Sequence, residues 1–239
     1  MMKTILQLCA AALTGITILS ACRNKRGRKT LFAPFMNAER QSRLTPDSVL
    51  AELQRGNLRF VEGNPLKRDE KEALKYSLAG QHPKAYVLSC IDSRVTVEKI
   101  FDQGVGDIFV GRVAGNVATI EQIGGMEYAC AVAKARLIVV MGHERCGAVK
   151  AAIKGDELGN LTSLLDGIQQ RGLMKYKKDR PDNEKFFYEQ INEIARNNVR
   201  HSIERIRAHS EILHKMETEG KIKIVGAFFS IHDGKVTFL

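Results

Sequence analysis

The chain has no tryptophan, and only 5 tyrosines and 10 phenylalanines among 239 residues. Stacking on nucleic-acid bases therefore has little to work with, and no recognised nucleic-acid-binding motif accompanies the basic charge. The apolar stretch from Ile5 to Leu19 is about fifteen residues, short of the roughly 20 that a bilayer-spanning helix needs. No internal repeat is visible. Acidic residues are fewer than basic ones, 27 against 37, for a net charge of +10. Much of that excess is local: Arg23, Lys25, Arg26, Arg28 and Lys29 fall within seven residues. With Lys3 they account for six of the ten charges, leaving +4 for the rest, an ordinary surface balance. The chain as a whole is 44% hydrophobic and 27% charged with a mean hydropathy of -0.20, which suits one α/β domain with a sizeable core.

Lys3, the apolar stretch and the sequence Leu19-Ser20-Ala21-Cys22 have the parts of a secretory signal. The small-residue pair before Cys22 resembles the bacterial lipobox, in which the Cys is lipidated and becomes the first residue. The resemblance implies a signal peptide over 1–21, a lipidated basic tether over 22–44 and a folded domain over 45–239. It also implies lipid anchoring in a bacterial cell envelope, at the periplasmic face or the outer membrane. An uncleaved anchor helix is the alternative. The basic run after Cys22 would then sit against lipid headgroups.

Five cysteines stand at 9, 22, 90, 130 and 146. Cys9 leaves with the signal and Cys22 would carry lipid. The remaining three are an odd number, which argues against a disulfide framework. Cys130, in an apolar helical stretch, reads as a small buried hydrophobe.

Thr45-Pro46-Asp47 offers an N-cap, a proline at the first helical position and an acidic first turn, which predicts a helix from Pro46 to about Glu62. A polar segment follows. Ala85–Cys90, Asp107–Val113 and Arg136–Met141 read as strands, and Ile120–Lys134, Cys146–Ile153, Leu161–Gly172 and Asn183–Glu219 as helices. Lys221–Phe229 and Lys235–Leu239 close the chain as strands around a turn at His232-Asp233-Gly234. Strands alternating with helices predict an α/β fold: a mostly parallel sheet flanked by helices, with an N-terminal helical arm and C-terminal strands.

Two of these strands end in metal-capable residues. Cys90 ends the first, and Gly142-His143-Glu144-Arg145-Cys146-Gly147 follows the strongest. In open α/β sheets, sites form beyond the carboxyl ends of strands. A helix beginning near Cys146 favours its thiolate, and Gly147 leaves room for close approach with an exposed N–H. Two thiolates and one imidazole suit zinc and leave a fourth position open. A lone Cys at a strand end is ordinarily packing, and a lone H-x-x-C is weak, so at this point both readings stand.

Cys90-Ile91-Asp92-Ser93-Arg94 adds context, because an Arg two residues from an Asp can hold the carboxylate ionised and oriented. With C-x-D-S-R and H-x-x-C-G both intact and some fifty residues apart, the chain resembles the β-class carbonic anhydrases. The likeness runs through Phe109-Val-Gly-Arg-Val-Ala-Gly-Asn116, Met126-Glu-Tyr-Ala129 and Val225-Gly-Ala-Phe228, covering Pro46 to Leu239. It implies one zinc ion per chain held by Cys90, His143 and Cys146, with Asp92 and Arg94 as the catalytic dyad. Gln81 and Gly147 are implied to steady the substrate, and Phe109 and Tyr128 to line an apolar CO2 pocket partly across a dimer interface. Gln81, and Val87 where an acid-closing subgroup has Trp, resemble the plant-like, open-site subgroup; Ala114 departs from it, standing where those members often carry Val. His82, His201, His209, His214 and His232 match no ligand position. The implied activity is zinc-dependent reversible hydration of CO2 to bicarbonate, by a homodimer or tetramer with no nucleic-acid partner. The rivals are a carbonyl sulfide or carbon disulfide hydrolase on the same fold, and a non-catalytic zinc or thiol sensor.

Overall fold

The computed structural model describes residues 33–172 and 184–239, without the side chains of 169–172 and 184–186. The expected signal, Cys22 and Asn183 lie outside the described residues. The first described helix, α1 (Ala38–Ser42), is capped by the Asn37 side chain. Its buried Gln41 donates to the carbonyls of Pro83 and Ala133, each at 2.7 Å. The Ala33 N–H also reaches the Lys67 carbonyl at 3.0 Å. Residues 33–44, basic and weakly patterned in sequence, are thus packed on the domain, because one amide finds two fixed carbonyls far away in the chain. In α2 (Pro46–Val61), Thr45 and Ser48 form the capping box and Pro46 opens the helix, as its sequence predicts. Val49 and Leu53 are fully buried under the sheet, worth roughly 1.5–3 kcal/mol each. A further helix, α3 (Glu70–Ser77), occupies the expected polar segment. Asp69 caps it and Ala73 alone is buried, so it carries almost no apolar periodicity to be read.

The rest of the chain alternates as expected. In order come β1 (Ala85–Ser89), α4 (Val97–Ile100), β2 (Ile108–Arg112), α5 (Ile120–Glu127), β3 (Leu137–His143), α6 (Gly147–Lys154), α7 (Gly159–Gly172), α8 (Glu184–His209), α9 (Glu211–Thr218), β4 (Lys223–Phe229) and β5 (Val236–Phe238). The strands form one sheet in the order β2-β1-β3-β4-β5. Its first four strands are parallel and β5 returns antiparallel to β4. Tyr86, Leu88, Ile138 and Val140 face one core with residues of α5, α8 and α9. Ala85, Val87, Leu137, Val139 and Met141 face the other with α2 and α4. Both faces are covered, which is why these strands are apolar throughout instead of alternating.

Two helices differ from expectation. The helix from Ile120 keeps α geometry only to Glu127, continues as a π-helical turn over Tyr128–Val132, and ends at Lys134 with φ 63. The long helix expected to Glu219 breaks at Ser210, whose backbone is extended (φ -131, ψ 100) and whose hydroxyl caps α9 at the Leu213 N–H. That hydroxyl also donates to Glu127 at 2.5 Å. The break turns Leu213 fully into the core, a gain that helical periodicity alone does not reveal.

Candidate active site

β1 and β3 are parallel neighbours with Ser89 paired to Met141, so Cys90 and His143 emerge together at the carboxyl edge. The chain leaves β1 toward α4 on one face, and returns from β3 by way of α8 on the other. That divergence opens a crevice between the two strands, the place where α/β sheets hold ligands. After His143 the chain reverses at Arg145, a left-handed residue with φ 52 whose N–H is held by Asn192 Oδ1 of α8 at 2.9 Å. The reversal makes Cys146 the N-cap of α6 and returns its sulfur to Cys90.

The donor atoms of Cys90, His143 and Cys146 all lie within 4.8 Å of one another, and all three residues are buried. The two sulfurs are 4.0 Å apart; two thiolates about 2.3 Å from one tetrahedral zinc would be about 3.8 Å apart. The His143 Nδ1 meets the Glu144 carbonyl at 2.9 Å, so Nδ1 carries the proton and Nε2 presents its lone pair. Nε2 is buried with no hydrogen-bond partner, an arrangement that is costly unless something binds there. This donor set fits zinc.

The Cys90 and Cys146 sulfurs share a hydrogen-bonding contact, and that contact is the main reason the Cys90 thiol is pulled down to about 4. The same contact, with burial, pushes Cys146 up; the N–H groups of Ala148 and Val149 at the start of α6 pull it down less strongly. The helix end therefore acts on Cys146 as its position implies, but a neighbouring sulfur outweighs it. Cys90 also receives the Gly115 N–H at 3.3 Å.

Asp92 stands beside the cluster, with Oδ2 3.9 Å from His143 Nε2. Arg94 grips it in the bidentate way its spacing suggests: Nε to Oδ1 at 2.9 Å and Nη2 to Oδ2 at 2.7 Å, with the Arg94 N–H on Oδ1 at 3.0 Å. These bonds hold the carboxyl at about 2, well below its usual range. Three supporting residues carried no sequence signal strong enough to single them out. Arg112, at the end of β2, donates to the Cys90 and Asp92 carbonyls at 2.9 and 2.6 Å and fixes the loop between them. Glu144 Oε2 accepts from the Ser230 hydroxyl and from the N–H groups of Ile231 and His232. Asn192 holds the reversal.

Gly147 opens α6 next to Cys146, and a Cβ there would meet nothing within 4 Å. Gln81, Phe109 and Tyr128 are placed elsewhere. Gln81 precedes β1, at the end of the strand opposite Cys90, about 16 Å away along five strand residues. Phe109 pairs with Tyr86 near that same end, and Tyr128 packs edge-on to it, centroids 6.1 Å apart, while 49% exposed. The chain does not bring these three to its own Cys90. Cys130 is buried and its thiol is pushed up to about 12 by desolvation, in keeping with a packing role.

A protein-family model described as carbonic anhydrase matches residues 85–236, more than half of the chain. Carbonic anhydrase 2 of Mycobacterium tuberculosis is 34% identical over 192 residues, covering 80% of this chain and 91% of that protein. The carbonic anhydrase of Mycolicibacterium smegmatis is 35% identical over 193 residues, covering 80% and 92%. A solved structure from work on two tetrameric β-carbonic anhydrases of the filamentous ascomycete Sordaria macrospora aligns with a TM-score of 0.63 at 26% identity, over 71% of this chain and 86% of that one. The matched segment holds both strand ends that build the cysteine–histidine cluster, and the chain belongs to the carbonic anhydrase family, in its β class.

Proposed function

We propose that this chain catalyses the reversible hydration of CO2 to bicarbonate and a proton, with one zinc ion held by Cys90, His143 and Cys146. The observation that carries the reading is the buried, unpartnered His143 Nε2 converging with two sulfurs beside a carboxylate that Arg94 holds ionised. Bound there, zinc supplies Lewis acidity that brings the pKa of water from about 15.7 toward about 7 in favourable sites, tempered here by two thiolates. The residues do the rest. Asp92, held at about 2, is too weak a base to keep a proton at neutral pH. Its Oδ2 instead accepts a hydrogen bond from the reacting water and so aims the water's lone pair at CO2. The Gly147 N–H, in the first turn of α6 directly after Cys146, is the group that would steady a substrate oxygen. Neither rival reading is favoured, since the relatives are carbonic anhydrases and a structural metal site needs no Asp92–Arg94 pair. The test is metal content and CO2 hydration rate on the purified protein. Cys90→Ser and His143→Ala should lose most zinc and nearly all turnover; stoichiometric zinc with normal turnover in Cys90→Ser overturns the site.

The site is of the open kind, in which Asp92 stays off the metal at neutral pH. Arg94 engages both oxygens of Asp92, and Val87 cannot offer the indole N–H of the acid-closing subgroup. The remaining pocket residues serve a second copy of the chain: Phe109 and Tyr128 pack edge-on to each other, and Gln81 precedes β1, at the end opposite Cys90. A homodimer or tetramer follows from that reading, and the Sordaria macrospora relatives are described as tetrameric. The protein is anchored through lipid on Cys22 in a bacterial envelope, as the Leu19-Ser20-Ala21-Cys22 pattern implies, with 22–32 as the tether. Among the described residues no helix is long and apolar enough to cross a membrane.

A further inference from the structure

The loop that donates to Cys90 is in an unfavourable conformation. Gly115 has φ 66 and ψ 17, and Asn116 follows with φ 46, so two consecutive residues are left-handed, one of them without glycine's freedom. A Cβ on Gly115 would lie 2.5 Å from Ile168 Cδ1, so the packing leaves no space for another residue. One face of α8 holds this loop. Asn198 Nδ2 donates to the Gly115 carbonyl at 2.5 Å, Ser202 Oγ to the Asn116 carbonyl at 3.0 Å, and Arg205 Nε to the Ala118 carbonyl at 2.8 Å. The spacing, i, i+4 and i+7, aligns these three donors on one side of the helix.

The helix is itself fixed against the strand that carries His143. Cβ atoms on Gly142 and Gly226 would lie 2.8 and 2.9 Å from the side chain of Val199, the residue after Asn198. Backbone-close packing of this kind gives the donors a rigid base. Asn198 and Ser202 are each 2% exposed, and neither is hydrogen-bonded to Cys90, His143 or Cys146. Their hydrogen bonds reach the site through the loop, whose Gly115 N–H lies 3.3 Å from Cys90 Sγ.

We propose that Asn198 and Ser202 are positioning residues of the metal centre: they hold the Gly115 N–H on the Cys90 sulfur and so limit the charge which that thiolate donates to the metal. Hydrogen bonds to a ligating sulfur are a recognised way for a protein to tune a metal. The inference rests on the zinc reading above. A purely structural role for these bonds predicts lower stability and nothing else, whereas loss of the N–H makes the sulfur a stronger donor and the metal a weaker acid.

The experiment uses the full chain loaded with cobalt(II) for spectroscopy and with zinc for kinetics, in wild type, Asn198→Leu and Ser202→Ala. In Asn198→Leu the sulfur-to-cobalt charge-transfer band should move to longer wavelength. The inflection of the kcat pH profile should rise by about half a unit, a roughly threefold loss of kcat below the inflection. Ser202→Ala should move both in the same direction by less. Variants whose band and inflection coincide with wild type, with only a lowered Tm, overturn the proposal. If Asn198→Leu does not fold, Ser202→Ala decides alone by the same criterion. A wild-type protein that takes up neither metal would overturn the zinc reading and this inference with it; normal uptake without the shifts overturns the inference only.

Discussion

Replacing Arg94 by Gln removes the guanidinium charge and the bidentate grip on Asp92, leaving a shorter, neutral side chain. In the native site the Asp92 carboxyl is held at about 2, chiefly by its hydrogen bonds from Arg94, an interaction of about 2.5 kcal/mol before screening. Arg94 is 47% exposed, so solvent screening reduces this to about 1 kcal/mol. For a domain of this size that is a Tm loss of about 2–4 °C. The folded pKa is depressed, so the stabilisation is full above the unfolded value near 3.9 and disappears as pH falls through about 2. With metal removed from both proteins, the Tm difference should therefore stay constant from about pH 8 to pH 5 and shrink below about pH 4. Activity should respond differently. Asp92 remains ionised at neutral pH in the variant, so lost turnover reflects orientation, about 10–100-fold as for other residues that orient groups at a metal site. A freed carboxylate 3.9 Å from His143 Nε2 can also reach the metal, so Arg94→Gln should acquire an acid inactivation that wild type lacks. Stopped-flow CO2 hydration from pH 6 to 9 reads both effects. Wild-type turnover with an unchanged pH profile would refute the argument that Arg94 holds Asp92 for catalysis.

Glu144→Ala strips the partner from Ser230, Ile231 and His232 and should cost about 1–3 kcal/mol while speeding zinc loss to a chelator; calorimetry and chelator competition check it, and Glu144→Gln should recover part of both. If Gln81, Phe109 and Tyr128 serve a partner's metal, mixing Cys90→Ser with a Gln81→Ala, Tyr128→Ala double variant under exchange conditions should restore activity that neither has alone. An unrestored mixture, with exchange verified by mass, counts against a shared pocket. In a bacterial host, mass spectrometry of the N-terminal peptide should find Cys22 as the first residue and acylated; intact Met1 or an unmodified Cys22 removes the anchoring proposal.

Local chemistry made much of this protein legible from sequence. The capping box and proline ahead of Val49 and Leu53 specify α2, and the unbroken apolar runs at Ala85 and Leu137 can only be strands covered on both faces. Strand ends made Cys90 and His143 candidates, but packing stayed open until C-x-D-S-R and H-x-x-C-G together gave the resemblance to β-class carbonic anhydrases that implies Cys90, His143 and Cys146 as ligands and Asp92 and Arg94 as the dyad. Asp92 and Arg94 in particular form a local contact that their separation all but imposes. Elements held by distant partners were not readable in this way. Gln41 needed the carbonyls of Pro83 and Ala133, α3 had only Ala73 to bury, and Ser210 broke a helix to bond Glu127 and bury Leu213.

The alternation of strands and helices and the Asp92–Arg94 pair were thus legible along the chain, because they depend on close neighbours, while the ligand set came from the family resemblance of two motifs. Tertiary structure alone decided that β1 and β3 lie side by side, which brings two sulfurs to 4.0 Å across 56 residues of sequence. It also decided that Asn198, Ser202, Arg112 and Glu144 support the site, and that Gln81, Phe109 and Tyr128 stand at the far end of the strand from it. Hydrogen-bond geometry between remote segments is fixed by packing, and no local pattern of residues encodes it.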